Sequence, residues 1–180
     1  MKLLVTGSMG TVGRKVTQAF PGSIGLDFRP GADIAADLAT LDYAECDIAR
    51  ALVSVDALVH LATNPDPDAP DAVHWQAVAN AARLLQACHG AGLANVVLAS
   101  SDWAAPKGAG MTVNTYGHSK RVFEAMAAMY SSMPGRHGTA LRIGWVPAHA
   151  SDLDEASEWL RANYWDDARL IDELRAALGG

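Results

Sequence analysis

The stretch Thr6-Gly7-Ser8-Met9-Gly10-Thr11-Val12-Gly13 follows directly on the apolar run Leu3-Leu4-Val5. A short apolar run that opens into glycines and then into a helical pattern predicts a strand, a tight turn and a helix. Glycines at 7, 10 and 13 let the backbone turn sharply, approach a pyrophosphate and pack the helix against the strand. Met9, Thr11 and Val12 complete this cradle. Beyond it the first helical turn presents unpaired N–H groups and the positive end of the helix dipole to an anion. A chain that begins this way is directed towards a parallel α/β fold.

The rest of the sequence has that rhythm. Short apolar runs alternate with longer helical patterns, as expected for a parallel sheet covered on both faces. Strands are predicted at Lys2–Thr6, Ser23–Asp27, Ala57–Ala62, Asn95–Ser100 and Thr139–Trp145, with a very short one near Ile34–Ala36. Helices are predicted at Thr11–Ala19, Leu41–Leu52, Ala72–Ala91, Thr115–Met133, Leu153–Asn163 and Asp166–Ala177. Gly22, Gly92 and Gly138 are expected to end helices before strands. Pro65, Pro67 and Pro70 mark an extended loop, and Ser151 is expected to cap the acid-rich helix that follows it. The predicted fold is a doubly wound, Rossmann-type sheet of about six strands in the order 3-2-1-4-5-6. Its ligand crevice would lie at the C-terminal strand ends. The expected organisation is one domain over residues 1–180, without a separate substrate domain and with a short helical tail over about 151–180.

Composition narrows the function. A net charge of −6 argues against a nucleic-acid surface. No apolar run is long enough for a membrane helix, and the glycine turn begins too early for a signal peptide. Cys46 and Cys88 are too few for a disulfide framework, which suggests a cytoplasmic protein with reduced thiols. The six histidines show no ligand spacing, so no metal site is expected.

Two further features carry chemistry. Asp27 ends the second predicted strand, where a carboxylate can accept both ribose hydroxyls of an adenosine and repel a 2′-phosphate. That favours NAD over NADP, although Arg29 is the residue type that partners such a phosphate. Far downstream, Tyr116-Gly117-His118-Ser119-Lys120 stacks a phenol and an ammonium on one helix face. Tyrosine is a poor base at its ordinary pKa, and a neighbouring ammonium is expected to lower it towards a useful range. Ser101, just past the fifth strand, can polarise a substrate oxygen.

Thr6-Gly7-x-x-Gly10-x-x-Gly13, Asp27, Asp37-Leu38, His60-Leu61-Ala62, Ala99-Ser100-Ser101 and Tyr116-x-x-Ser119-Lys120 occur in this order. In this the chain resembles the short-chain dehydrogenase/reductase superfamily, in its extended, epimerase/dehydratase-like branch. Leu141-Arg142-Ile143-Gly144 and Tyr164-Trp165-x-Asp167-x-Arg169 are similar to uronate and related sugar dehydrogenases. The resemblance implies that Asp37 and Leu38 contact the adenine. Leu61, Ala62 and Ala99 would lie along the cofactor. Ser101, Tyr116 and Lys120 would be catalytic, with Lys120 also on the nicotinamide ribose. It further implies a homodimer built on the helices at 72–91 and 115–133, with Met126, Ala127, Met129 and Tyr130 as an apolar outer face.

There are two departures from the family. The helix asparagine of its Asn-Val-x-Gly-Thr pattern falls on Ala77, with Asn80 one turn later. The segment after Trp145 is short for a substrate lobe, so the pocket is expected to be shallow or closed by a partner. Trp103, Trp145 and His149 follow strand ends and are candidates for its wall or for packing. An NAD-dependent oxidoreductase acting on a sugar or sugar acid, an epimerase or dehydratase, and a non-catalytic dinucleotide-binding regulator all remain open.

Overall fold

The computed structural model describes residues 1–105 and 112–179. Among these, six parallel strands form one sheet in the order β3-β2-β1-β4-β5-β6. They are β1 (Leu3–Thr6), β2 (Ile24–Asp27), β3 (Ile34–Ala35), β4 (Ala57–His60), β5 (Asn95–Ser101) and β6 (His137–Ile143). The sequence-predicted order is the one observed. Central strands read as unbroken apolar runs because both faces are buried. Leu4, Leu58, Val96 and Leu98 point into one core, and Leu3, Val5, Val59 and Val97 into the other.

The first core is closed by α2 (Cys46–Ser54), α3 (Asp71–Gly90) and α4 (Thr115–Ser131). The second is closed by α1 (Thr11–Ala19) and α7 (Asp167–Ala177), through Val16, Leu170 and Leu174. Lys15 and Asp167 join these two helices at 2.7 Å. Strand ends Thr6, Asp27, His60, Ser101 and Ile143 therefore share one edge of the sheet.

Several boundaries differ from the sequence reading, each for a local reason. The helix expected from Leu41 starts at Cys46, because Asp37 and Asp42 hold the preceding stretch in side-chain-to-backbone turns. Leu41 is buried all the same. Gly138 ends no helix: it lies inside β6, where a Cβ would strike the Ala127 carbonyl of α4, and Gly135 (φ +69°) makes the turn instead. The helix expected at Leu153–Asn163 is two short ones, α5 (Asp152–Glu155) and α6 (Glu158–Ala162). Ala156 is extended between them, and the Ser157 hydroxyl accepts from the Leu160 amide to start α6. Ser151 makes no capping bond, and the Asp152 carboxylate takes the His149 amide instead.

Beyond β6 the chain returns to the same sheet edge. Trp145 pairs with Tyr164 in a single parallel bridge, its amide donating to the Asn163 carbonyl at 2.7 Å. This return hangs α6 over the C-terminal strand edge.

Candidate active site

A cleft of about 1300 Å³ runs along that edge. One half of it is built from backbone. Gly7 has φ +72°, and a Cβ there would lie 2.8 Å from the Ala62 nitrogen, so β1 and the residues after β4 meet at van der Waals distance. A Cβ on Gly13 would overlap the Gly7 carbonyl, whereas one on Gly10 would meet only that oxygen, at 3.2 Å. Gly10 therefore has more room than Gly13, and it lines the cleft. It is also the N-cap of α1 with no side chain to bond the first-turn N–H groups. These groups are the amides of Thr11, Val12 and Gly13, residues that line the cleft, and an uncapped helix start of this kind can hold an anion.

Asp27, 5% exposed, stands beside the cradle. Its Oδ2 accepts from the Met9 amide at 2.9 Å and its Oδ1 from the Arg29 amide at 3.0 Å. The carboxylate is held rigidly and keeps lone pairs for a diol. Arg29 turns back to the Met9 carbonyl at 3.0 Å, its guanidinium 5.5 Å from the Phe28 ring. Phe28 is 70% exposed and lines the cleft, as Leu38 does. Arg83 of α3 donates to the carbonyls of Leu38, Ala39 and Leu41 and fixes that loop. Neither Phe28 nor Arg83 belongs to a motif, so sequence reasoning missed both.

Gly7, Gly10, Thr11, Val12, Gly13, Asp27, Arg29, Asp37, Leu38, Leu61, Ala62, Ala99, Ser101, Tyr116 and Lys120 all line this cleft. Met9 does not. Its side chain borders a smaller pocket near Gly31 and Asp33, and it serves the site through its amide on Asp27.

The other half is built from side chains on separate elements. Ser101 is the last residue of β5. Asn114 caps α4 by accepting from the Gly117 amide and donates to the Pro67 carbonyl, which ties the helix start to the proline loop. Gly117 leaves no room for a Cβ against the Trp103 carbonyl, so α4 starts close to the end of β5. Tyr116 and Lys120 are consequently buried, at 8% and 3% exposure. The Lys120 Nζ donates to the Thr63 hydroxyl at 3.0 Å and to the Ala99 carbonyl at 3.2 Å, and lies 5.2 Å from the Tyr116 ring centroid.

The electrostatics correct one expectation. Burial raises the Tyr116 phenol above its ordinary pKa, and the hydrogen bond with Ser101 opposes this. The net shift runs opposite to the lowering expected from Lys120, so desolvation outweighs the amine beside the ring. Burial instead pushes Lys120 down to about 7. Burial also pushes His60 down to about 3; its Nδ1 and the Thr6 hydroxyl share a 2.7 Å hydrogen bond. His60 is a neutral core residue.

Ala77 and Asn80 both border the cleft, with Asn80 taking a 2.9 Å hydrogen bond from Gln76. Trp103 and Trp145 line it and His149 does not; Trp159 of α6, which the sequence reading passed over, joins them. His118 is exposed. Among the described residues there is no group of three or more His, Cys, Asp or Glu able to hold a metal, and no helix is long and apolar enough to cross a membrane.

The pattern of the NAD dependent epimerase/dehydratase family matches residues 3–148. No curated protein matches the chain. Among solved structures, MoeE5 in complex with UDP-glucose and NAD is similar at 24% identity, over 84% of this chain and 57% of that one, with a TM-score of 0.67. A short-chain dehydrogenase/reductase superfamily protein from Agrobacterium tumefaciens with bound NAD is 25% identical, over 99% and 59%, with a TM-score of 0.65. A mutated uronate dehydrogenase is 25% identical, over 81% and 59%, with a TM-score of 0.59. The chain thus spans somewhat over half the length of these structures.

Proposed function

Because the chain belongs to the NAD dependent epimerase/dehydratase family, we propose that it is an NAD-dependent oxidoreductase interconverting a hydroxyl and a carbonyl on a small, sugar-like substrate. The observation that carries this reading is the meeting of Ser101, Tyr116 and Lys120 in the cleft that begins at the glycine cradle. The cradle fits a pyrophosphate, and Asp27 fits an adenosine ribose with a free 2′-hydroxyl, which favours NAD over NADP. NAD, when bound, supplies the hydride acceptor.

The chain's own groups handle the proton. Ser101 donates a hydrogen bond to the substrate oxygen. Tyr116 gives that oxygen a proton in reduction and takes it back in oxidation. A buried phenol with a raised pKa holds its proton at neutral pH, so it serves as a donor as it stands. Lys120 anchors α4 to β5 and to Thr63 and places its amine beside the Tyr116 ring. An epimerase or dehydratase reading has one observation in its favour: Asp102 borders the cleft next to Ser101 and could serve as a second acid–base group.

Tyr116→Phe is expected to leave the NAD isotherm unchanged and lower turnover roughly 10²–10⁴-fold. Unchanged turnover sinks the role of Tyr116, and equal wild-type affinities for NAD and NADP sink that of Asp27. Net NADH formation marks a dehydrogenase, whereas product without it marks an epimerase or dehydratase.

The assembly we propose is a homodimer on the outer faces of α3 and α4. Trp75, Val122 and Met129 are exposed there at 68%, 37% and 65%. Ala127 and Tyr130 are buried in the core and Met126 packs against it, so the outer face is narrower than the sequence suggests. Met129→Glu should yield monomers by light scattering; a wild-type monomer at micromolar concentration defeats the assignment. Both cysteines are free thiols, which suits a cytoplasmic setting.

A further inference from the structure

The Lys120 Nζ lies 5.2 Å from the Tyr116 ring centroid and 5.1 Å from that of Phe123, on a side chain that is almost wholly buried. An amine in such apolar surroundings depends on the few oxygens within its reach. It donates to the Ala99 carbonyl of β5 at 3.2 Å and to the Thr63 hydroxyl at 3.0 Å. The carbonyl is backbone and is set by the sheet. The hydroxyl is a choice of side chain.

The helix α3 supplies neither oxygen. Ala77 has no polar group to offer, and the Asn80 Oδ1 one turn later accepts from Gln76 at 2.9 Å. Thr63 comes instead from the loop after β4, and the backbone fixes its place. Its amide donates to the Leu61 carbonyl at 2.8 Å, and Leu61 and Ala62 are packed directly on Gly7. A β-branched side chain on such a backbone has few rotamers, so the hydroxyl stays where the loop puts it. Thr63 is half-buried and borders the cleft.

We infer that Thr63 is a positioning residue for Lys120, its hydroxyl holding the amine beside the Tyr116 ring and favouring the ammonium over the free amine. Burial pushes Lys120 down to about 7, so the two forms are closely balanced at neutral pH and one hydrogen bond can tip them. The catalytic meaning of this rests on the oxidoreductase reading; the hydrogen bond does not. Ionisable groups lie around the amine on each element packed there. On α4, burial raises Tyr116, and the hydrogen bond from Arg142 holds Glu124 below the usual carboxylate range. On β4, His60 is pushed down to about 3. His74 of α3 stands edge-on to Tyr116 at 5.4 Å between ring centroids, and Asp102 follows β5. All of these are kept in every Thr63 variant compared below, so differences between those variants come from Thr63.

The test follows the Cε carbon of Lys120 by NMR in lysine-labelled protein, from roughly pH 5 to 11 to span the titration of a shifted or an ordinary lysine. The chain has four lysines, and Lys120→Met identifies the signal by its loss. Thr63→Val keeps the branched shape and removes the hydroxyl; Thr63→Ser keeps the hydroxyl. The wild-type midpoint is expected well below the ordinary 10.5. Losing an acceptor disfavours the charged form, so Thr63→Val should lower the midpoint by about one pH unit or more. Thr63→Ser should stay with the wild type. Thr63→Ala takes the place of the valine variant if that variant does not fold. A wild-type midpoint near 10.5, an unmoved midpoint without the hydroxyl, or a serine shift as large as the valine shift overturns the inference. No turnover enters this measurement. Unchanged turnover in Tyr116→Phe defeats the oxidoreductase reading and leaves the titration standing, whereas an unmoved midpoint defeats Thr63 and leaves that reading intact.

Discussion

The two halves of the cleft are made differently. The cofactor half is mostly backbone: a turn with glycines where a Cβ would collide, an uncapped helix start, and one carboxylate held by two amides. It is assembled by β1, α1 and β2, which are consecutive in the chain. The other half is mostly side chains, from the loop after β4, the end of β5, the start of α4 and from α6. A backbone site is specified by what must be absent at a few neighbouring positions. A side-chain site depends on how distant elements dock, and its groups are buried at a cost in solvation that shows in their pKa values.

This contrast can be broken or sharpened by substitution. The largest effect is expected from Gly13→Val, because the added atoms have no space against the Gly7 carbonyl and the Ser8 backbone. It should destabilise the fold by about 4 kcal/mol or more. A denaturant melt near the wild-type midpoint would show that the turn can relax. Gly10→Val comes next. Its Cβ would meet only the Gly7 carbonyl oxygen, at 3.2 Å, so the variant should fold with a wild-type circular-dichroism spectrum. The side chain then occupies the anion cradle, and NAD should bind roughly 100-fold more weakly as phosphate hydrogen bonds are lost. Wild-type affinity in a folded variant would dismiss the cradle.

The third effect belongs to the side-chain half and is a pH dependence. Lys120 has an ordinary pKa of 10.5 in the unfolded chain and about 7 in the fold. Between these values the unfolded state binds more protons, so this residue makes stability rise with pH from about 7 to 10. Below 7 the ammonium is charged in both states and its burial penalty is fully present. Lys120→Met removes the dependence. The melting temperature of the variant minus that of the wild type should therefore fall as pH is raised from 7 to 10. A difference independent of pH would mean that Lys120 is solvated in solution.

The chain itself announced the parallel sheet, its strand order, the glycine turn and the place of Asp27 at a strand end, because these rest on local patterns: apolar runs, glycine spacing, an acid after a strand. It also placed Tyr116 and Lys120 on one helix face, since four residues make about one helical turn. What periodicity could not reveal was competition between local and long-range bonding. Asp37 and Asp42 divert the start of α2 into turns, and Ser157 divides the helix expected at Leu153–Asn163. Gly138 looked like a helix stop and is a contact surface for α4.

Tertiary structure alone decided the surroundings of the catalytic candidates. Burial raises the Tyr116 phenol and lowers the Lys120 amine, so desolvation governs both groups. The bridge from Trp145 to Tyr164 brings Trp159 beside Trp103, far away in sequence, and makes an edge-to-face contact where neither residue belongs to a motif. Spacing along a chain encodes which groups share a helix face or a turn. Desolvation and long-range packing depend on which elements come to lie against one another, and that is set only when the sheet closes and its helices dock.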